Sequence, residues 1–217
     1  MKSFLANCLY FGLPVLVALI GIGFLADGYT DHYYLRYSSP RQTSMILGIS
    51  RAAVALEPSI IDSSLKKEYP GINMYNFAFM LHMSPYGKVY FDAVKKKLRA
   101  DAGKAVFIVT VDPWTVANFR DEPEDEAQSR EKHYGLDQGG SLSSNPNFLY
   151  LINGYGQPYM SVLSTKIKTR FLNRYPDYKL HNDGWLELSY PMDSASVAGR
   201  FKTTLNIYST QYLSTCT

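Results

Sequence analysis

Cysteine is scarce in this sequence: Cys8 and Cys216 are the only two in 217 residues. Two thiols cannot staple a small disulfide scaffold or supply a cysteine zinc site. A strong charge bias is also missing. Lys plus Arg number 22 against 19 Asp plus Glu, a net charge of +3. That is too weak for a nucleic-acid binder, which usually carries a basic stripe. Disorder is excluded too, because 46% of the residues are hydrophobic and 19% charged, enough to build a packed core. No internal repeat is present, and the length fits one domain, or one plus a small appendage. No metal or cofactor is expected.

One long run lacks charge altogether. Ser3 to Ala26 is bracketed by Lys2 and Asp27. As a helix at ~1.5 Å per residue it would be roughly 36 Å long, enough to cross a ~30 Å hydrocarbon core. Pro14 and the glycines at 12, 21 and 23 are tolerable in a membrane helix. A cleaved signal peptide is the alternative. The apolar run is long for one, and no A-x-A site closes it. Residues 1–26 are therefore expected to be an anchor in contact with membrane lipid, and 27–42 a stalk. Lys2 on one side and Arg36 and Arg41 on the other leave the orientation open. Tyr29, Tyr33, Tyr34 and Tyr37 suit a headgroup zone or a plain tyrosine-rich linker.

Residues 43–112 alternate strand and helix. Thr43 to Gly48 reads as a first strand, and Ile72 to Phe77 as a second. Ala105 to Asp112 reads as a third, apolar enough to be covered on both faces. One helix opens at Leu56 with Pro58 near its start, and carries Ile61 and Leu65. Another follows Ser84-Pro85 and carries Tyr86, Val89, Tyr90, Ala93, Val94 and Leu98 on one face. Lys95, Lys96 and Lys97 sit at its C-terminal end, where the helix dipole favours cations. The pattern predicts an α/β class with a short parallel sheet and right-handed crossovers. If the first strand lies in the middle, as in a flavodoxin-like three-layer fold, Ser50 falls at the topological switch point. Asn76 and Asp112 then flank it at neighbouring strand ends.

Residues 113–217 read as an insertion or cap-like region. Arg120 to Lys132 is a charged, solvated segment, and Gln138 to Pro146 a loop. A helix begins at Gln157-Pro158 with Met160, Leu163, Ile167 and Phe171 on one face. Asn182-Asp183-Gly184 is a turn signal before the alternating Trp185 to Tyr190. Ser194 would cap a last helix bearing Val197, Phe201 and Leu205. No further strand of the third strand's quality follows residue 112, so the sheet is expected to be incomplete at its C-terminal side.

Several of these runs carry a family resemblance. Ile46-Leu-Gly-Ile-Ser-Arg-Ala, Tyr75-Asn-Phe-Ala-Phe, Ser84-Pro-Tyr-Gly and Val111-Asp-Pro-Trp114 resemble the N-terminal part of membrane-anchored SGNH/GDSL-type hydrolases. The branch is the one related to the D-alanyl transfer protein of teichoic acid modification (DltD-like). The resemblance covers residues 1–115, and the remainder loosely. It implies a bacterial cytoplasmic membrane protein with one N-terminal span and an extracytoplasmic flavodoxin-like domain. Its substrates would be acyl esters of cell-envelope polymers.

By the same resemblance Ser50 is the nucleophile, with Gly-Ile-Ser where the family has Gly-Asp-Ser. Asn76 and Ala78 match the second block, whose N–H groups help hold an oxyanion. Asp112 and Trp114 occupy the place of the third block, and Arg51 lines the site. The family's Asp-x-x-His has no counterpart, since Asp177 and His181 stand four apart. The expectation is the front part of a longer serine esterase or acyltransferase. The alternative is a non-catalytic anchored module that binds envelope polysaccharide or a protein partner, for which 18 tyrosines are a suitable surface.

Overall fold

The computed structural model describes residues 2–80, 86–99, 103–113, 142–154 and 157–213. Helix α1 (Lys2–Gly23) contains Ala6–Gly23, long and apolar enough to cross a membrane, with a mean hydropathy of 1.9. Its body is exposed, and its last turn is built into the fold. Gly23 is buried, and a Cβ there would collide with the ring of Phe148. Ile22 and Ala26 pack against the core, and Phe24 meets Phe148 edge-on at 6.1 Å between centroids.

The segment 27–42 is not a stalk. Asp31 accepts the Tyr33 and Tyr34 N–H groups at 2.7 and 2.6 Å and turns the chain into α2 (Tyr34–Ser38). Tyr33, Tyr34 and Tyr37 are core residues rather than headgroup residues. The reason is a large apolar ring, joined at Tyr33 and Tyr34 by a partner for the polar tip. The Tyr33 hydroxyl donates to the Met80 carbonyl at 3.2 Å, and that of Tyr34 to Asn145 Oδ1 at 3.1 Å. The Tyr37 ring stacks on Tyr150 at 4.4 Å.

Strands β1 (Ser44–Leu47), β2 (Met74–Asn76) and β3 (Phe107–Val109) form a parallel sheet of order β2-β1-β3. Met45 stands opposite Tyr75 on one side and Phe107 on the other. The first strand is thus the central one. Met45 and Leu47 face the main core with Tyr75, Phe77 and Tyr90, while Ile46 is buried on the alternate pleat. β1 and β2 are fully buried, as continuous apolar runs require. β3 is not covered on both faces as expected: Phe107 and Val109 are exposed.

The first crossover is two helices, α3 (Ser50–Ala55) and α4 (Pro58–Leu65), broken at Leu56-Glu57. Pro58 opens α4, where the missing N–H costs nothing. The second crossover carries α5 (Lys88–Lys97), which starts after Gly87; Ser84-Pro85 lies outside the described residues. Lys95 pairs with Asp92 at 3.6 Å. Lys97 does not face solvent at the helix end. It is fully buried, and its ammonium reaches the carbonyls of Arg36, Ser39 and Leu142 and the Ser39 hydroxyl at 2.6–2.9 Å.

After the sheet come α6 (Phe148–Asn153) and α7 (Pro158–Leu172), which pack on each other; α1 also packs on α7. Asn147 caps α6 by accepting the Tyr150 N–H at 3.1 Å. The buried side of α7 is Pro158, Val162 and Thr165. Its sequence-apparent apolar stripe, Met160, Leu163, Ile167 and Phe171, is on the exposed side. β4 (Tyr178–Leu180) and β5 (Leu186–Leu188) pair across the turn at Asn182-Asp183-Gly184.

The chain to Glu187 is one compact unit, and Leu188 onward is another, holding α8 (Ser194–Leu213). Asp193, not Ser194, supplies its cap, accepting the Ser196 N–H at 2.9 Å.

Candidate functional site

The C-terminal ends of the parallel strands gather most of the residues singled out in the sequence. Ser50 is half-buried and opens α3 directly after β1 and the extended Ile49. Its hydroxyl makes no hydrogen bond to any described residue, nor do the first-turn N–H groups of Ser50 and Arg51. Helix geometry leaves such groups without an internal partner. Gly48 makes the turn possible. A Cβ there would collide with Thr110 Oγ1 and Ala52 Cβ, so only glycine lets β1 pass between β3's end and α3. Thr110 closes the other side, its N–H and hydroxyl both donating to the Leu47 carbonyl at 3.0 and 3.1 Å. Arg51 reaches across to Asp112 at 3.2 Å, an exposed pair at the rim.

Asn76 and Ala78 have other employment. Asn76 is fully buried, and its amide donates to the carbonyls of Ala52 and Leu56 at 2.8 Å each. Both lie at the C-terminal end of α3, where the Ala52 carbonyl also accepts the Leu56 N–H at 3.3 Å. The Asn76 side-chain oxygen accepts the Ala78 N–H at 3.1 Å. The hydrogens expected to hold an oxyanion are therefore engaged within the fold. Trp114 lies outside the described residues, as do His82 and His133.

Neither of the two described histidines hydrogen-bonds to Ser50. His32 packs edge-on against Tyr178 at 4.1 Å. Burial, then the nearby Arg36 charge, pushes its pKa below the usual value. His181 forms a pair that the sequence reading missed. Its Nε2 is 2.8 Å from Glu187 Oε2, and its ring lies over Trp185 at 4.8 Å. The Trp185 indole in turn donates to the Val54 carbonyl at 2.8 Å, so this turn docks on α3. The signal that could have found the pair is the turn itself, which folds residue 181 back toward 185–187. Among the described residues, no cluster of His, Cys, Asp and Glu could hold a metal ion.

A concave feature lies elsewhere. A cleft of about 740 Å³ separates Leu25, Asp27 and Tyr29 from Lys166, Arg170 and Tyr175 of the α7 region. Lys166 and Asp27 form an ion pair across it at 2.5 Å.

Comparison with protein-family models, curated proteins and solved structures finds no match.

Proposed function

We propose that this chain is a membrane-anchored α/β domain that handles an acyl ester at Ser50, in the manner of SGNH-type esterases and acyltransferases of cell-envelope polymers. The observation that carries this reading is the position of Ser50. It follows the central strand of a parallel sheet, where ligands of such sheets bind, and its hydroxyl is bonded to no described residue. Ser50 Oγ would attack the acyl carbonyl and pass its proton to a base. The alcohol of the ester would leave, and a second alcohol or water would then take the acyl group from the serine. The N–H groups of Ser50 and Arg51 are the donors available to the oxyanion. None of the described histidines bonds to Ser50, so the base of this reading lies outside the described geometry.

The packing of Ile22, Gly23 and Ala26 into the core supports a retained anchor over a cleaved leader, since cleavage there would strip packed residues. An extracytoplasmic domain follows from the substrate class. One observation favours the alternative, a non-catalytic module that binds envelope polysaccharide: Asn76 and Ala78 are already engaged.

Labelling of membranes with a serine-reactive fluorophosphonate separates the two. The ester reading expects covalent labelling of the chain that disappears in Ser50→Ala while folding is unchanged. No labelling, with glycan binding equal in wild type and Ser50→Ala, would select the module.

A further inference from the structure

The apolar stripe of α7 faces away from the core. At about 100° per residue, Met160, Leu163, Ile167 and Phe171 fall in an arc of roughly 80°, opposite the buried Val162 and Thr165. Met160 is 57% exposed, Ile167 47% and Phe171 79%. Leu149 and Ile152 of the neighbouring α6 are exposed as well. A contiguous apolar face of this kind marks a binding surface. Its charges have one sign. Lys166, Lys168, Arg170 and Arg174 lie between Pro158 and Tyr175, with no acidic residue among them. Lys168 and Arg170 flank the stripe on either side, and Arg170 has no ion pair or hydrogen bond among the described residues.

The position of this face identifies its occupant. α1 packs on α7, and the segment leaving α1 runs along α7's C-terminal half, tied by Asp27–Lys166 and by Tyr29 against Tyr175 at 5.6 Å. The stripe is thus carried by the helix that receives the end of the anchor. We infer that α7 is an interfacial membrane helix. Met160, Leu163, Ile167 and Phe171 lie at the acyl–headgroup boundary of the bilayer that α1 crosses, and Lys168, Arg170 and Arg174 meet anionic phospholipid headgroups. An exposed apolar face with basic flanks is suited to that boundary. The inference rests on the reading of α1 as a retained membrane span.

The test uses the full chain with Cys8→Ala and Cys216→Ala, reconstituted in vesicles of phosphatidylcholine and phosphatidylglycerol. A fluorophore is placed at Ile167→Cys or, as a control on α4, at the exposed Ile60→Cys. Lipids bearing a nitroxide near the top of the acyl chain report depth. The expected result is several-fold stronger quenching at 167 than at 60. Lys168→Gln/Arg170→Gln/Arg174→Gln, or vesicles of phosphatidylcholine alone, should reduce it. Equal quenching at both sites, in protein that resists alkaline carbonate extraction, overturns the inference. So does quenching indifferent to lipid charge, or burial at 167 that appears only with cross-linking to a second copy. Extraction of the protein by carbonate overturns the anchor reading itself, and the inference with it.

Discussion

Lys97 gives the fold a pH dependence that can be worked out in advance. Its ammonium is buried among oxygens of Arg36, Ser39 and Leu142. Burial lowers its pKa from 10.5 to about 7. Between those values the unfolded lysine keeps its proton and the folded one has lost it. The unfolded state then binds more protons, so stability rises with pH. The gain is at most about 1.4 kcal/mol per pH unit, and half-protonation at pH 7 trims the first step, leaving about 2 kcal/mol between pH 7 and 9. With a urea dependence of about 2 kcal/mol per M, the unfolding midpoint should move up by about 1 M.

Other groups are perturbed by burial as well, Asp31 upward and Arg36 downward, and Lys97→Met separates the lysine from them. Burial also lowers His32, which moves its titration away from the alkaline side. Tyr37, Tyr90 and Tyr150, all raised by burial, weaken the fold only as pH climbs past their ordinary 10. The assay is urea unfolding of the full chain in nanodiscs at pH 7, 8 and 9, followed by tryptophan emission. Lys97→Met should flatten the dependence. A midpoint that stays level from pH 7 to 9 in the wild type, or rises equally in Lys97→Met, would refute the reasoning.

Two further substitutions probe the frame of the strand-end site. Asn76→Ala removes the amide donor from the Leu56 carbonyl and the acceptor from the buried Ala78 N–H, while the Ala52 carbonyl keeps only the Leu56 N–H, so it should cost about 2–4 kcal/mol in the same unfolding assay. Gly184→Ala places a side chain at φ +82° and against the Asn76 carbonyl. A loss of about 1–3 kcal/mol is expected, together with a red shift of Trp185 emission as its bond to Val54 is released. An unchanged spectrum would show that the turn does not depend on that glycine.

The sheet was legible because its runs are diagnostic: Ser44–Leu47 and Met74–Asn76 are short, apolar and bounded by turn residues, and their strand ends carry Ser50 and Asn76 as read. The use made of Asn76 was not legible. It depends on α3, a six-residue helix whose sequence, Ser-Arg-Ala-Ala-Val-Ala, carries no periodic face long enough to read. Tyr33, Tyr34 and Tyr37 misled because they directly follow an apolar run. Composition beside an apolar run fits a headgroup belt as well as a core, and only packing decides: hydroxyl partners at Tyr33 and Tyr34, ring stacking at Tyr37. α7 was legible as a helix but not in its direction. Periodicity reveals that one face is apolar, and not which solvent or partner that face meets. His181 and Glu187 come together through hairpin register, which a linear spacing rule such as Asp-x-x-His does not see.

The turn at Asp183-Gly184 has a consequence for how this sheet can grow. The outward-facing amides of β2 are both occupied: Met74 N–H donates to Asp62 Oδ1 at 2.9 Å and Asn76 N–H to the Asp183 carbonyl at 2.8 Å. No strand can add there without displacing them. The matching amides of β3, at Phe107 and Val109, meet no such partner among the described residues. Among the described residues, one margin of the sheet is sealed and the other is open. Any strand that extends it, from this chain or from another, joins at β3, and the sealed margin guards the protein against pairing edge-to-edge through β2.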